Sequence, residues 1–190
     1  MVVLVTRLTT VLFVFMCLAL SACGGGEESG TSGAGDGSKR FEGDGFSFSY
    51  PDDWSLGEFA EPNPELATAV ALSYGGAEQG TTDSVAVSVA PALSPITEDN
   101  LEGSLDDFAA FAADSYGELL SAPTPTTVDG LPAVRLKASG PSPDGVPLEF
   151  GTTIVLDGTT WYVIQSQFVP KNADKIKPGY DQSVGSFQVE

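Results

Sequence analysis

The sequence predicts an α+β fold, an antiparallel β-sheet flanked by helices, on three observations. Runs in which large apolar residues alternate with small or polar ones recur from Phe46 onward, and a period of two marks a strand with one buried face. Asp-Gly pairs at 129–130, 144–145 and 157–158 separate the last of these runs. Such pairs tolerate the positive φ that type I′ hairpin turns require. One stretch, from Leu101 to Leu119, instead repeats its apolar residues at three- and four-residue steps, the period of an amphipathic helix.

The chain opens with an apolar run carrying one charge, Arg7, and ending in Leu20-Ser21-Ala22-Cys23. This is the pattern of a secretory signal that closes on a lipoprotein-type cleavage site. The four residues resemble a bacterial lipobox, which implies cleavage before Cys23 and acylation of its thiol. Cys suits the role because a thiolate can be alkylated to a stable thioether. Each buried methylene of an attached chain contributes about 0.8 kcal/mol and one chain holds only marginally, so two or three chains anchor a protein effectively for good. The apolar core from Val11 to Leu20 is short for a membrane span, which needs about 20 residues.

Gly24 to Arg40 reads GGGEESGTSGAGDGSKR and has no large apolar residue, so it cannot bury enough surface to offset its ordering entropy. The expected organisation is a signal peptide over 1–22, a lipidated Cys23 with a Gly/Ser-rich tether to residue 40, and one globular domain over 41–190. A domain of roughly 150 residues buries about 68–70% of its unfolded surface, and no internal repeat divides it.

The domain's first strand is Phe46-Ser47-Phe48-Ser49-Tyr50, with its three aromatics on one face. Pro51-Asp52-Asp53 turns the chain into Trp54. Ala67 to Tyr74 reads as a strand closed by Gly75-Gly76, and Asp83 to Ala90 as another with Val85, Val87 and Val89 on one face. Pro95, then Thr97 or Asp99 as a cap, starts the main helix, with acidic residues near its positive end. Leu101, Leu105, Phe108, Ala112, Tyr116 and Leu119 form its apolar stripe, widened by Phe111. Ser121 to Thr127, rich in Pro and Thr, reads as a surface loop. Strands follow at Leu131 to Ala138, Leu148 to Leu156 and Trp161 to Val169. Pro178 in a first helical turn then suggests a short second helix ended by Gly185, before a closing strand at Ser186 to Val189.

Composition excludes several chemistries. There are 26 acidic residues against 8 basic ones, a formal charge of −18, and nucleic acids and anionic lipid headgroups are gripped through Lys and Arg. No nucleic-acid partner is expected. The chain has no His, which removes the commonest general base and metal ligand. Cys17 falls within the leader and Cys23 is committed to lipid, so neither a disulfide nor a thiol site is expected within one chain. No Gly-x-Ser-x-Gly or Ser-x-x-Lys motif occurs. The adjacent carboxylates Asp52-Asp53 and Asp106-Asp107 lack the spaced oxygen ligands of a cation loop and read as solvated. No catalytic residue, metal or cofactor is expected. Paired carboxylates acting on cell-wall glycan remain an alternative, because that chemistry needs only two acids. A purely structural spacer of an envelope complex is another.

Several of these landmarks occur together in one known family. The opening Phe46, Phe48, Tyr50, Pro51 and Trp54 is followed by a central helix and by Val128-Asp129-Gly130-Leu131-Pro132-Ala133. An aromatic strand after Asp157-Gly158 and the terminal Ser186-Phe187-Gln188-Val189 complete the order. The chain thus resembles the PsbP-like fold of the extrinsic photosystem protein PsbP and the Mog-type Ran-release factor, and especially actinobacterial lipoproteins of the LpqN and LpqT type. The resemblance covers nearly all of 41–190. It implies an α/β/α sandwich, a cell-envelope location, and binding or assembly roles. Photosystem and Ran functions do not carry over, because no site residues for them can be placed here.

The expected protein is therefore a non-catalytic lipoprotein on the extracytoplasmic face of the bacterial cell membrane, held there through Cys23. Its partner is an envelope protein or a small apolar molecule. Trp54, Phe108, Trp161 and Tyr162 are the candidate lining of a cleft between sheet and helix, although aromatics in such folds also fill the space beneath the helix.

Overall fold

The computed structural model describes residues 37–43, 45–57, 68–74, 83–92, 95–142 and 144–190. The leader, Cys23 and most of the tether lie outside the described residues.

Two sheets form, both antiparallel. Strand β1 (Ser38–Glu42) pairs with β2 (Phe46–Pro51), and the final strand β10 (Gln188–Val189) pairs with the other edge of β2. The larger, seven-stranded sheet has the order β3-β4-β5-β9-β8-β7-β6. Its strands are β3 (Trp54–Gly57), β4 (Thr68–Tyr74), β5 (Ser84–Pro91), β6 (Glu118–Val128), β7 (Leu131–Pro141), β8 (Pro147–Asp157) and β9 (Thr160–Phe168). Helix α1 (Glu98–Tyr116) packs on one face of this sheet, and helix α2 (Ala173–Gly185) with the small sheet packs on the other.

Alternation along the central strands fills both layers. Val85, Val87, Tyr162, Ile164 and Val155 point to the α2 side, where they meet Phe46, Phe48, Ile176 and Val184. Ile154, Leu156, Val163, Leu136 and Phe150 point to the α1 side, against Leu101, Phe108, Ala112 and Tyr116. A strand buried on both faces carries apolar residues pointing to each side, as β8 does with Phe150, Ile154 and Leu156 on one face and Val155 on the other.

Helix α1 begins where expected. Thr97 is its N-cap, with the Thr97 N–H donating to Asn100 Oδ1 at 2.8 Å. It ends earlier, because Gly117 takes a φ of 109° and turns the chain into β6, so Leu119 pairs with Ala138 as a strand residue. Ser121 to Thr127 is likewise strand, not loop. The register of β6 against β7 shifts twice, between Leu119 and Ser121 and between Ser121 and Thr124, and an edge strand tolerates Pro123 and Pro125 where a central one does not.

Three further expectations are corrected. Ser38 to Arg40, assigned to the tether, belong to β1: backbone pairing with β2 orders them without a large apolar side chain. Of the Asp-Gly turns, only Asp129-Gly130 has both residues at positive φ, 50° and 76°. At 157–158 the strands pair through Asp157 and Thr160, so the two-residue turn is Gly158-Thr159 with Gly158 in the left-handed region. Finally, Pro178 lies inside α2 and not in its first turn, since a short 3₁₀ turn at Pro170–Asn172 starts the helix earlier. Pro178 is exposed, so the carbonyl it leaves without a helical partner can reach water.

Candidate functional site

The seven-stranded sheet divides the four predicted cleft residues into two pairs. On the α2 side Trp54 is 2% exposed, its ring lying against the Cα of Gly179. Tyr162 is buried in the same layer, between Phe46 (5.9 Å between ring centroids) and Phe187 (5.5 Å). On the α1 side Phe108 meets Trp161, with ring centroids 5.7 Å apart and planes at 44°. No single cleft contains all four. The carboxylates Asp52 and Asp53 sit in an exposed turn, and Asp106 and Asp107 on the outer face of α1.

The α1 layer holds polar groups that core packing alone does not require. Thr152 on β8 and Gln165 on β9 are direct cross-strand partners, 1% and 5% exposed, and both point towards α1. Tyr116, in the last turn of α1, stacks on Phe150 at 4.8 Å and carries its hydroxyl to the same place. The Tyr116 hydroxyl, Thr152 Oγ1 and Gln165 Oε1 are all buried without a hydrogen-bond partner. Burial pushes the Tyr116 phenol far above its usual range, with the nearby Thr152 hydroxyl opposing. Trp161 Nε1 is a fourth buried atom without a partner.

Tyr116, Thr152 and Gln165 converge at one place, and Trp161 lies further along the same face. Trp161, Val163 and Gln165 alternate down β9 on the α1 face, and four strand residues span about 13 Å. A donor, the indole N–H, therefore stands at one end and an acceptor, the Gln165 carbonyl, at the other, with an apolar floor of Val163 and Ile154 between them. Each such group left unpaired in the interior costs about 1–3 kcal/mol.

The cover over these atoms is α1, whose nearest backbone neighbours are β6 and β7. It carries Glu98, Asp99, Glu102, Asp106, Asp107 and Asp114 and no basic residue. The like charges at 98/102 and 102/106 are one turn apart, and each such pair destabilises a helix by about 0.2–0.5 kcal/mol.

Of these residues the sequence points to Phe108 and Trp161 but does not single out Tyr116, Thr152 and Gln165 as polar members. The available signal is a Thr at an inward position of β8, which is otherwise apolar on that face, opposite a Gln that follows Trp161 and Val163 on β9. By contrast, Asp83 is the only buried carboxylate among the described residues. It accepts from Val169 N–H at 2.8 Å and from the Asn172 side-chain amide, tying the start of β5 to the approach to α2. No pair of facing buried carboxylates exists among the described residues to support glycan cleavage.

No protein-family model matches the chain, and no curated protein matches it. Solved structures do. Cyanobacterial PsbP (CyanoP) of Synechocystis sp. PCC 6803 is 19% identical and superposes over 90% of this chain and 99% of its own, with a TM-score of 0.59. The fold is PsbP-like. LpqN of Mycobacterium tuberculosis, a protein involved in cell envelope biogenesis, is 13% identical over 82% of this chain and 86% of its own, with a TM-score of 0.56. A Bacteroides thetaiotaomicron protein matches 82% of the chain at 12% identity and a TM-score of 0.55. This chain spans about half of that protein's length, 49%. Within the PsbP-like frame, the unpartnered polar atoms lie between the long helix and the central strands.

Proposed function

We propose that this chain is a lipid-anchored envelope protein that holds a small, elongated, mainly apolar molecule between α1 and the sheet, without a chemical step of its own. The observation that carries this reading is the convergence of buried, unpartnered polar atoms at Tyr116, Thr152 and Gln165, with Trp161 Nε1 further along the same face. A ligand with a hydroxyl or amide towards one end and an apolar body satisfies those groups and keeps the Val163 and Ile154 floor dry. The self-repelling α1 is the element that yields to admit it. The envelope location is supported by the Leu20-to-Cys23 lipobox and by the envelope role of LpqN, which shares the fold. The absence of His and the engagement of Asp83 in structural hydrogen bonds favour binding over catalysis.

A purely structural spacer would need a broad apolar contact surface. The exposed large apolar residues include Leu56 on β3 and Leu120 on β6, at opposite edges of the large sheet, and no one patch can contain both.

The test uses the full chain purified from membranes in mild detergent, with a monoacylglycerol as the hydroxyl-bearing probe. The expected result is slower amide hydrogen exchange in α1 and a higher midpoint of unfolding. Both effects are lost in the Tyr116→Phe/Gln165→Leu double variant. Unchanged exchange in α1 with monoacylglycerol, fatty alcohol and fatty amide alike would refute the reading.

A further inference from the structure

The opposite face of the large sheet holds a cation that forms no ion pair among the described residues, and it does not depend on the α1 site. Arg135 stands in the middle of β7 with its side chain on the α2 side. Its cross-strand neighbours are Thr124 on β6 and Thr153 on β8. In a chain with 26 acidic residues, Arg135 forms no ion pair with a described residue. Its Nε is buried and has no hydrogen-bond partner. A guanidinium offers five N–H donors in a fixed fork, and the Nε and Nη pair fits the two oxygens of a carboxylate or phosphate.

The surroundings suit such a guest. Lys137, two residues on and therefore on the same face of β7, is exposed. The Thr153 and Tyr180 hydroxyls are hydrogen-bonded at 2.6 Å beside Arg135, and the positive charge of Arg135 favours the Tyr180 phenolate against burial. Thr124 Oγ1 donates to the Arg135 carbonyl at 3.3 Å, which fixes the backbone from which the guanidinium projects. Of the carboxylates on this side, Glu149 pairs with Lys177 at 3.7 Å, and Asp181, exposed on α2, acts on Tyr180 electrostatically but forms no ion pair with Arg135.

We propose that Arg135, assisted by Lys137 and the Thr153–Tyr180 hydroxyl pair, forms an anion site on the α2 side of the sheet for a carboxylate or phosphate oxyanion. The net negative charge of the chain opposes approach over long range. That repulsion is screened beyond a Debye length of about 8–10 Å at ordinary ionic strength, whereas the forked contact acts at hydrogen-bond distance. Binding should therefore survive moderate salt, unlike attraction to a diffuse basic surface.

The test is a nuclear magnetic resonance titration of the full chain, labelled with ¹⁵N-arginine, in uncharged detergent micelles. Inorganic phosphate should move the Arg135 Nε–Hε resonance saturably and leave that of Arg40 unmoved. Arg135→Lys, prepared with uniform ¹⁵N labelling, should weaken binding at least tenfold, read from the Lys137 and Thr153 amides. If that variant does not fold, the contrast between Arg135 and Arg40 in the native chain still decides. Doping the micelles with phosphatidylglycerol separates the sources: the same shift without free phosphate identifies a lipid headgroup, and a response to free phosphate alone identifies a soluble anion. An Arg135 resonance that moves with neither, or one that moves linearly in parallel with Arg40, overturns the proposal.

Discussion

Two glycines in the two helices should respond to the same substitution with opposite sign. Alanine is favoured over glycine in a helix interior by about 1 kcal/mol. At Gly103 in α1 nothing lies within 4 Å of where a Cβ would stand, so Gly103→Ala should gain close to that amount. At Gly179 in α2 a Cβ would fall 2.5 and 2.7 Å from ring carbons of Trp54. That indole is 2% exposed and walled by the core, so it cannot swing aside as a flexible side chain would. Overpacking of this kind costs about 1–3 kcal/mol, and contacts this close to a rigid ring belong in the upper half of that range. The net for Gly179→Ala is then a loss of about 1–2 kcal/mol. Each kcal/mol moves the midpoint by about 2–4 °C in a protein of this size. Thermal unfolding followed by tryptophan fluorescence should show Gly103→Ala rising by about 2–4 °C and Gly179→Ala falling by about 2–8 °C. In a Trp54→Phe background the penalty at Gly179 should shrink, because the smaller ring yields space. A Gly179→Ala protein as stable as the wild type would refute the claim that α2 is seated through that contact.

Alkaline pH should unfold the protein through its buried tyrosines. Burial pushes Tyr180 up to about 12, its largest cause, with the Thr153 hydrogen bond and Arg135 opposing, and raises Tyr116 further. The unfolded chain loses these protons from about pH 10 and the native one does not, so stability is fully present below that pH. It should fall by about 1.4 kcal/mol per pH unit for each such tyrosine as pH rises from 10 towards 12. Denaturant titrations of Tyr116→Phe and Tyr180→Phe should show shallower slopes there; an unchanged slope in both contradicts the assignment. At the Asp129-Gly130 hairpin, Asp129 combines a φ of 50° with a hydrogen bond accepted from Val189 N–H at 2.9 Å. Asp129→Ala should cost about 1–2 kcal/mol through strain and the lost bond, whereas Asp129→Asn, which tolerates that backbone and keeps an acceptor, should cost a few tenths. Equal losses in urea unfolding would show that neither feature matters.

Elements with a strong local period were legible in the sequence. The Phe46, Phe48 and Tyr50 alternation fixes β2, the valines of 85 to 89 fix β5, and the stripe from Leu101 to Tyr116 fixes α1 with its Thr97 cap. The resemblance to PsbP-like proteins supplied the layer order, which periodicity does not carry. Two of the misses share one cause, pairing through the backbone. Ser38 to Arg40 and Ser121 to Thr127 look like tether and loop because their side chains are small, polar or proline, yet neighbouring strands order them. The candidate site was half legible. Trp161 and Phe108 stand out as large aromatics, but which face of the sheet each aromatic joins depends on register: Trp161 and Tyr162 are adjacent and face opposite layers. The polar members Tyr116, Thr152 and Gln165 are ordinary residues in sequence. Only their meeting beneath α1, where none finds a partner, distinguishes them, and the same holds for Arg135 on the other side.

The edges of the large sheet also bear on how the protein behaves among its own copies. One edge, β6, is interrupted by Pro123, Pro125 and two shifts of register, and the other, β3, is only four residues long. Neither offers the long, regular row of free N–H and C=O groups on which a foreign strand can grow. Molecules crowded on a surface meet their neighbours far more often than they do in dilute solution. A sheet terminated in this way resists edge-to-edge aggregation at such densities through its backbone, independently of surface charge.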